Sequence, residues 1–418
     1  MSHHPRPLGG RLITVPVVIC AVLTAIGFFF IGQRLYFGIG AVANVNAGYP
    51  WGIWIAIDVM VGTAFGCGGW AMALLTYGLN RAQYHPLIRP ALLGGLFGYT
   101  FAGMAVMVDL GRYLNSLNLF LPWYANINSI MLETALCVML YIGVVWTEFS
   151  PAFLERFSLH RVGLTLNRFM FVVIALGMLL PTLHQSSLGT ILIVNETKLS
   201  HLWWTEWLPL LYLSSALAMG YGVVVFESTL VSRAFHLKSE LPLLASISRV
   251  TFWVTAFFFV VRIGAILVAG DFTLAFQVNM ESGLFWAETA LFLAALFFMR
   301  TDRPSDLTAF LGACALLAGG TLYRIDSYLL AYQGTPGWNY FPSLSEAMIT
   351  IGLIALEVMA YILFVKLLPV LSNPPVSVSQ RTSWTQPVIS PMVGAAIDQE
   401  VEAPMSALPS TVKSGRAR

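Results

Sequence analysis

The chain has 418 residues, 57% of them hydrophobic and 10% charged, with 22 Lys and Arg against 20 Asp and Glu. A soluble domain is about one quarter charged, so this composition and a mean hydropathy of +0.76, with the apolar residues gathered in long runs, exclude a soluble globular protein. The net charge of +2 says nothing about acidic partners, because in a membrane protein the side on which charge lies carries the information.

A hydrocarbon layer about 30 Å thick takes roughly 20 residues of helix to cross. Ten runs qualify: 14–34, 52–79, 90–112, 127–148, 165–185, 207–231, 248–269, 283–300, 307–330 and 345–368. They are continuously apolar without two-residue alternation, which favours helices over a barrel. The first run follows Arg6 and Arg11 as a signal peptide would, but it is longer than a signal core and no small-x-small cleavage site follows, so it is read as a span. Past Ser372 the chain turns polar and Pro-rich, and 372–418 is expected to be a disordered tail. The expected fold class is an all-α membrane protein, with a membrane domain over 1–371.

An even number of spans puts both termini on one side. That side collects 17 of the 22 basic residues and the opposite side three (Arg34, Arg112, Lys198), with Arg262 and Arg324 inside spans. This asymmetry assigns both termini to the cytoplasm. The opposite loops, at 44–51, 114–128, 186–207 and 331–342, are aromatic and nearly uncharged, which suits either a docking surface or an interfacial aromatic belt.

Cys20, Cys67, Cys137 and Cys314 are isolated within apolar runs, so no iron–sulfur cluster or zinc site is expected in this chain. Of seven histidines only His184 lies in a proposed span. A membrane b-type haem usually takes imidazoles from two facing helices, so no haem is expected either. No nucleotide-binding motif is present.

Ionisable residues inside a membrane are costly and mark candidate sites. With a rise of 1.5 Å per residue, Asp58 lies roughly 9 Å from the outer end of the second span and Glu133 at a similar depth in the fourth. Asp109 and Arg112 end the third span and His184 the fifth, so four consecutive helices place these groups in one outer layer. Pro181 removes a backbone donor and frees the carbonyl of Gly177, which predicts a broken helix beside His184, with Gln185 adding a further polar group. Such a pocket suits a lipid-soluble molecule whose two oxygens gain and lose protons. Each group also has a structural reading: Asp109 and Arg112 can pair on one helix, Asp58 can be a satisfied hydrogen-bonding group, and His184 can cap a broken helix. Glu133 has no partner nearby in sequence and is the leading proton relay. Spans six to ten add Glu227, Arg262, Glu288, Arg324, Asp326 and Glu357, and Arg324 and Asp326, two apart, need partners on other helices. Glu148 and Glu227 can begin a path from the cytoplasm, although Glu148 at a helix end also reads as a solvated charge.

The motifs GYPWGIWIAID (48–58), CGGWA (67–71), QYHPLIRPALL (83–93), DLGRYLN (109–115), NINSIMLETA (126–135), LPTLHQSSLG (180–189) and YFPSLSEAMITIG (340–352) occur in order between PLGG (7–10) and KLLPVL (366–371). In these the chain resembles the NrfD/PsrC family, the polysulfide-reductase membrane subunits, and within it the membrane subunits of hydrogenase-2-type nickel–iron hydrogenases. The resemblance implies two four-helix bundles, spans two to five (52–185) and six to nine (207–330), flanked by the first and last spans. It also implies a quinone site near the outer face of the first bundle and an iron–sulfur subunit docked outside. Members without haem are ordinary in that family.

The expected function is a quinone-reactive subunit of a periplasm-facing nickel–iron hydrogenase in the bacterial inner membrane. Its partners would be a periplasmic ferredoxin-like iron–sulfur subunit, the hydrogenase large and small subunits and the lipid bilayer, with no nucleic acid. Menaquinone or ubiquinone would be the substrate. His184, Asp58 and Glu133 are the expected reacting groups. Asp109, Arg112 and Gln185 are expected beside the quinone, and Glu133, Glu148, Glu227, Glu288, Arg262, Arg324 and Asp326 along a proton path. A proton-coupled secondary transporter and a passive anchor of another, molybdenum-dependent, oxidoreductase are the alternatives.

Overall fold

Ten helices long and apolar enough to cross a bilayer carry the apolar runs in the structure, a computed structural model that describes residues 5–49, 51–235, 241–300, 305–334 and 336–371. They are α1 (Val15–Phe37), α2 (Trp54–Gly78), α3 (Ala82–Asp109), α4 (Ile130–Arg156), α5 (Arg161–Val194), α6 (Leu208–Ala234), α7 (Leu241–Ala269), α8 (Met280–Met299), α9 (Asp306–Leu330) and α10 (Leu344–Leu367). Among the described residues there are only isolated β-bridges and no named strand. The expected tail at 372–418 lies outside the described residues.

Successive helices pack in sequence from α2 to α5, and α6 to α9 close a second ring in which α9 returns to α6. The two groups meet where α2 packs on α6 and α9, and α5 on α6. α1 packs chiefly on α10, and α10 in turn on α2 and α3. Lipid replaces water around such a bundle, so close packing of small residues stands in for a hydrophobic drive. The GCGGW stretch does this for α2: a Cβ at Gly95 would meet the Gly66 carbonyl at 2.7 Å, and one at Gly220 the Cys67 carbonyl at the same distance. On α1, Gly27 lies directly over Gly352 of α10.

Two helices run further than their apolar cores suggest. α4 continues through Pro151 to Arg156, so Glu148 lies about 12 Å inside the helix and not at its end. α5 is continuous through Pro181 to Val194, which leaves His184 about 15 Å from the end and corrects the expected break. The hydroxyl of Thr182 donates to the Met178 carbonyl at 2.8 Å, the kind of local side-chain bond that lets a membrane helix tolerate proline.

The loops fall at two ends. At one, Arg6 N–H donates to the Leu371 carbonyl at 3.1 Å and Lys366 Nζ to the Arg11 carbonyl at 2.6 Å, so the beginning of the chain is clasped to the end of α10. At the other, three loops are knitted together: Ser200 N–H donates to Ala331, Gln333 N–H to Lys198, and Trp51 Nε1 to the Tyr328 carbonyl at 2.7 Å. Glu346, in the capping box of α10, accepts from Asn44 N–H and from the Tyr340 hydroxyl at 2.8 Å, and burial pushes the Tyr340 phenol above its ordinary value. The fourth loop at this end, 110–129, instead leaves Leu114, Leu117, Phe120, Trp123, Tyr124 and Ile127 exposed.

Candidate functional site

His184 is fully buried on α5, and neither ring nitrogen has a hydrogen-bond partner among the described residues. Its ring meets Tyr99 of α3 edge-on, with centroids 5.8 Å apart. The next residue, Gln185, is also fully buried; its amide nitrogen donates to Thr63 Oγ1 at 3.2 Å and to the Tyr99 hydroxyl at 3.4 Å. Its carbonyl oxygen accepts from Arg324 Nη2 at 3.1 Å.

Arg324 enters from α9 in the second bundle and is fully buried. Its Nη1 donates to the Met60 carbonyl of α2 at 3.1 Å, and Nη2 also reaches the Tyr212 carbonyl and Ser215 Oγ of α6. The Met60 carbonyl is presented from a wide π-helical stretch, Trp54–Val61, a departure from regular helix that often accompanies function. The guanidinium lies 4.8 Å from the Tyr212 ring centroid, a cation–π contact. Among the described residues it has no ion-pair partner, and its Nε has no hydrogen-bond partner. The result is a buried positive charge held by neutral oxygens, beside an imidazole with two free nitrogens. Buried polar groups are almost always paired, so these three orphan nitrogens, two donors and one acceptor when the imidazole is neutral, mark a place where an oxygen-bearing ligand can be received.

The residues singled out from sequence divide around this centre. Glu133 is joined to it indirectly, accepting at 2.8 Å from Ser187 Oγ, one turn beyond His184 on α5. It stands exposed in the first turn of α4, whereas the sequence reading expected it buried. Asp58 is buried but turns away towards α10, where Thr350 Oγ1 donates to it at 2.8 Å. Asp109 and Arg112 form no ion pair with each other. Asp109 is in electrostatic reach of Arg34, which bonds the Val108 and Leu110 carbonyls, while Arg112 is exposed in the 110–129 loop.

The expected proton-path residues do not form one file. Arg262 and Glu288 are a buried ion pair, with Trp203 Nε1 donating to Glu288 at 3.1 Å. Asp326, in another π-helical stretch, is fully buried with both carboxyl oxygens unpartnered among the described residues, in electrostatic reach of Arg262. Glu148 packs against Gly177, and Glu227 over Gly94 of α3. Tyr99, Thr63, Tyr212 and Ser215 were not anticipated, since neutral hydroxyl-bearing residues are common in spans and nothing in one sequence marks those that converge.

A ten-helix, all-α polytopic membrane protein with a polar, net-positive centre where two helix groups meet is the class that this fold and site define. No family model matches the chain. It is 42% identical over 376 residues, 89% of this chain and 96% of the relative, to the Probable Ni/Fe-hydrogenase 2 b-type cytochrome subunit of Escherichia coli (strain K12). A protein of Nitratidesulfovibrio vulgaris with no functional name is 28% identical over 87% of this chain and 96% of its own length. The menaquinone reductase integral membrane subunit of the same organism is 31% identical over 175 residues, 39% of this chain and 41% of that subunit. The chain therefore belongs to the family of the Ni/Fe-hydrogenase 2 membrane subunits.

The comparison also corrects one expectation. The Escherichia coli relative is called a b-type cytochrome subunit, which points to haem and overturns the reading that excluded it. That reading demanded two imidazoles from facing helices, whereas haem iron is also held through one histidine. His184, buried with both ring nitrogens free, is a side chain able to supply that ligand.

Proposed function

We propose that this protein is the quinone-linked membrane subunit of a nickel–iron hydrogenase complex, passing electrons from an iron–sulfur partner to a quinone held at the junction of the two helix groups. The observation that carries the reading is the set of unpartnered nitrogens on His184 and Arg324, fully buried and side by side with Gln185. The names of the relatives, a hydrogenase 2 subunit and a menaquinone reductase subunit, support the two ends of the electron path.

His184 and the Arg324 N–H donate hydrogen bonds to a quinone oxygen, and the uncompensated guanidinium stabilises negative charge as electrons arrive, an arrangement that is strongest where water is excluded. Ser187 and Glu133, one turn along α5, offer a proton route from the exposed rim. His184 is also the side chain that would hold a haem, which when bound would supply one-electron transfer. The iron–sulfur partner docks on the 110–129 loop, whose six large apolar side chains stand exposed at the end nearer the site. The excess of Lys and Arg at the other end supports a reading with the termini in the cytoplasm and this loop outside, in a bacterial inner membrane.

The test is the intact complex carrying His184→Ala, assayed in membranes for hydrogen oxidation with a quinone analogue and, separately, with a soluble dye that draws electrons upstream. Quinone reduction is expected to fall about 100-fold, in the range for loss of a proton-handling side chain, with dye reduction unchanged. Full quinone reduction by the variant overturns the site.

A further inference from the structure

Positions 350, 357 and 361 of α10 are separated by seven and four residues and so share one face. Thr350, at its upper end, donates to Asp58 of α2. Glu357 lies about 10 Å deeper, and is in electrostatic reach of Asp58 above it and of Glu227 on α6. Tyr361 follows one turn on, its hydroxyl fully buried without a hydrogen-bond partner among the described residues, and it too is in reach of Glu227. Glu227 lies over Gly94, where a Cβ would meet its Oε1 at 2.9 Å; only a glycine leaves room for the carboxyl.

By helix rise these groups run from about 6 Å to about 28 Å below the ends of their helices nearest the knitted loops, most of the thickness of a hydrocarbon layer. None of the three acids forms an ion pair among the described residues. Carboxyl groups are expensive at such depth and are rarely kept without a partner unless they conduct. Acids with hydroxyls between them, and without an ion-pair partner among the described residues, suit the handing of protons from oxygen to oxygen.

We infer that Glu357 is the mid-membrane proton relay between Glu227 and Asp58, so that protons travel along the seam between the inner face of α10 and the two helix groups. The inference rests on the quinone reading above. Each quinone takes up two electrons from the iron–sulfur partner and two protons. At every hop one carboxyl or phenol O–H bond breaks and another forms on the next oxygen, and the O–H bond of Asp58, two residues from the Met60 carbonyl that Arg324 holds, breaks as its proton passes to the reduced quinone.

The full complex in sealed liposomes tests this, with hydrogen as donor, a menaquinone analogue as acceptor and a pH-sensitive dye on the terminal side. Glu357→Gln is expected to lower proton uptake from that side by about tenfold and quinone reduction by less, since Ser187 and Glu133 keep the rim route, with dye-coupled hydrogen oxidation unchanged and Glu357→Asp restoring most of the loss. Wild-type uptake and rate in an assembled Glu357→Gln complex overturn the relay. If that variant does not assemble, Glu357→Asp is measured in deuterated solvent: an isotope effect larger than wild type is expected, and an unchanged one overturns the relay. Failure of the underlying reading looks different, because the wild-type complex itself then reduces no quinone with hydrogen.

Discussion

Arg262 and Arg324 are both buried in the second helix group, one on α7 and one on α9, and they are satisfied in opposite ways. Arg262 is paired with Glu288, lies over the Phe285 and Tyr323 rings, and shares its carboxylate with Trp203. Arg324 has carbonyls, an amide and a hydroxyl instead, and no ion-pair partner among the described residues. The first arrangement is electrically closed and suits a structural cross-link. The second retains its charge and spare donors next to His184, so its field and hydrogen bonds remain available to a ligand. Burial of a charge alone therefore does not identify a functional residue; the state of its partners does.

The comparison can be broken most forcefully at the closed pair. Arg262→Leu should strand Glu288 and destabilise the protein by about 3–5 kcal/mol, whereas Arg262→Met combined with Glu288→Leu should recover most of it, read by thermal unfolding of the detergent-purified complex. If the double variant stays as unstable as the single one, the pair is more than a cross-link. A smaller effect is expected at the open site. Gln185→Leu removes one acceptor from Arg324 and should cost about 1.5–3 kcal/mol, with quinone reduction losing about tenfold while dye-coupled oxidation holds; a change in stability alone would detach Gln185 from the ligand site. The smallest belongs to Arg89 and Glu155, a partly exposed pair at 2.5 Å whose side chains keep 24% and 34% of their accessibility. Arg89→Ala should shift stability by no more than about 1 kcal/mol, and a larger shift would mean that its bond to the Pro369 carbonyl matters more than the ion pair.

The ten spans were legible because a hydrocarbon layer imposes a length that continuous apolar runs reveal. Their ends were less so. The reading of the fourth run stopped at Glu148 and that of the fifth at Gln185, since charge and proline look like stop signals, yet α4 and α5 continue to Arg156 and Val194. His184 was singled out as the one histidine in a proposed span, and Gln185 as a further polar group beside it. Arg324 was assigned to a proton path and expected to need a partner on another helix, but which helix could not be read, because contact between α9 and α2 is a tertiary fact that no periodicity encodes. Depth along a helix also proved an incomplete guide, as it says nothing of azimuth. Asp58 and Glu133 sit at heights that suggested one layer, but Asp58 faces α10 and Glu133 the rim. The haem expectation failed for a chemical reason, by treating paired imidazoles as the only mode of ligation.

The pairing of α1 with α10, sealed by Gly27 against Gly352 and by the backbone bonds near Arg6 and Leu371, has a consequence for biogenesis. Chains are made from the amino end at about 5–20 residues per second, so α1 enters the bilayer while its main neighbour is still unsynthesised. Its most extensive interhelical contact therefore spans nearly the whole membrane domain and forms last. Because α10 is also the last span to be made and carries Glu357, the proposed proton file between α2, α6 and α10 is complete only when synthesis of the membrane domain ends.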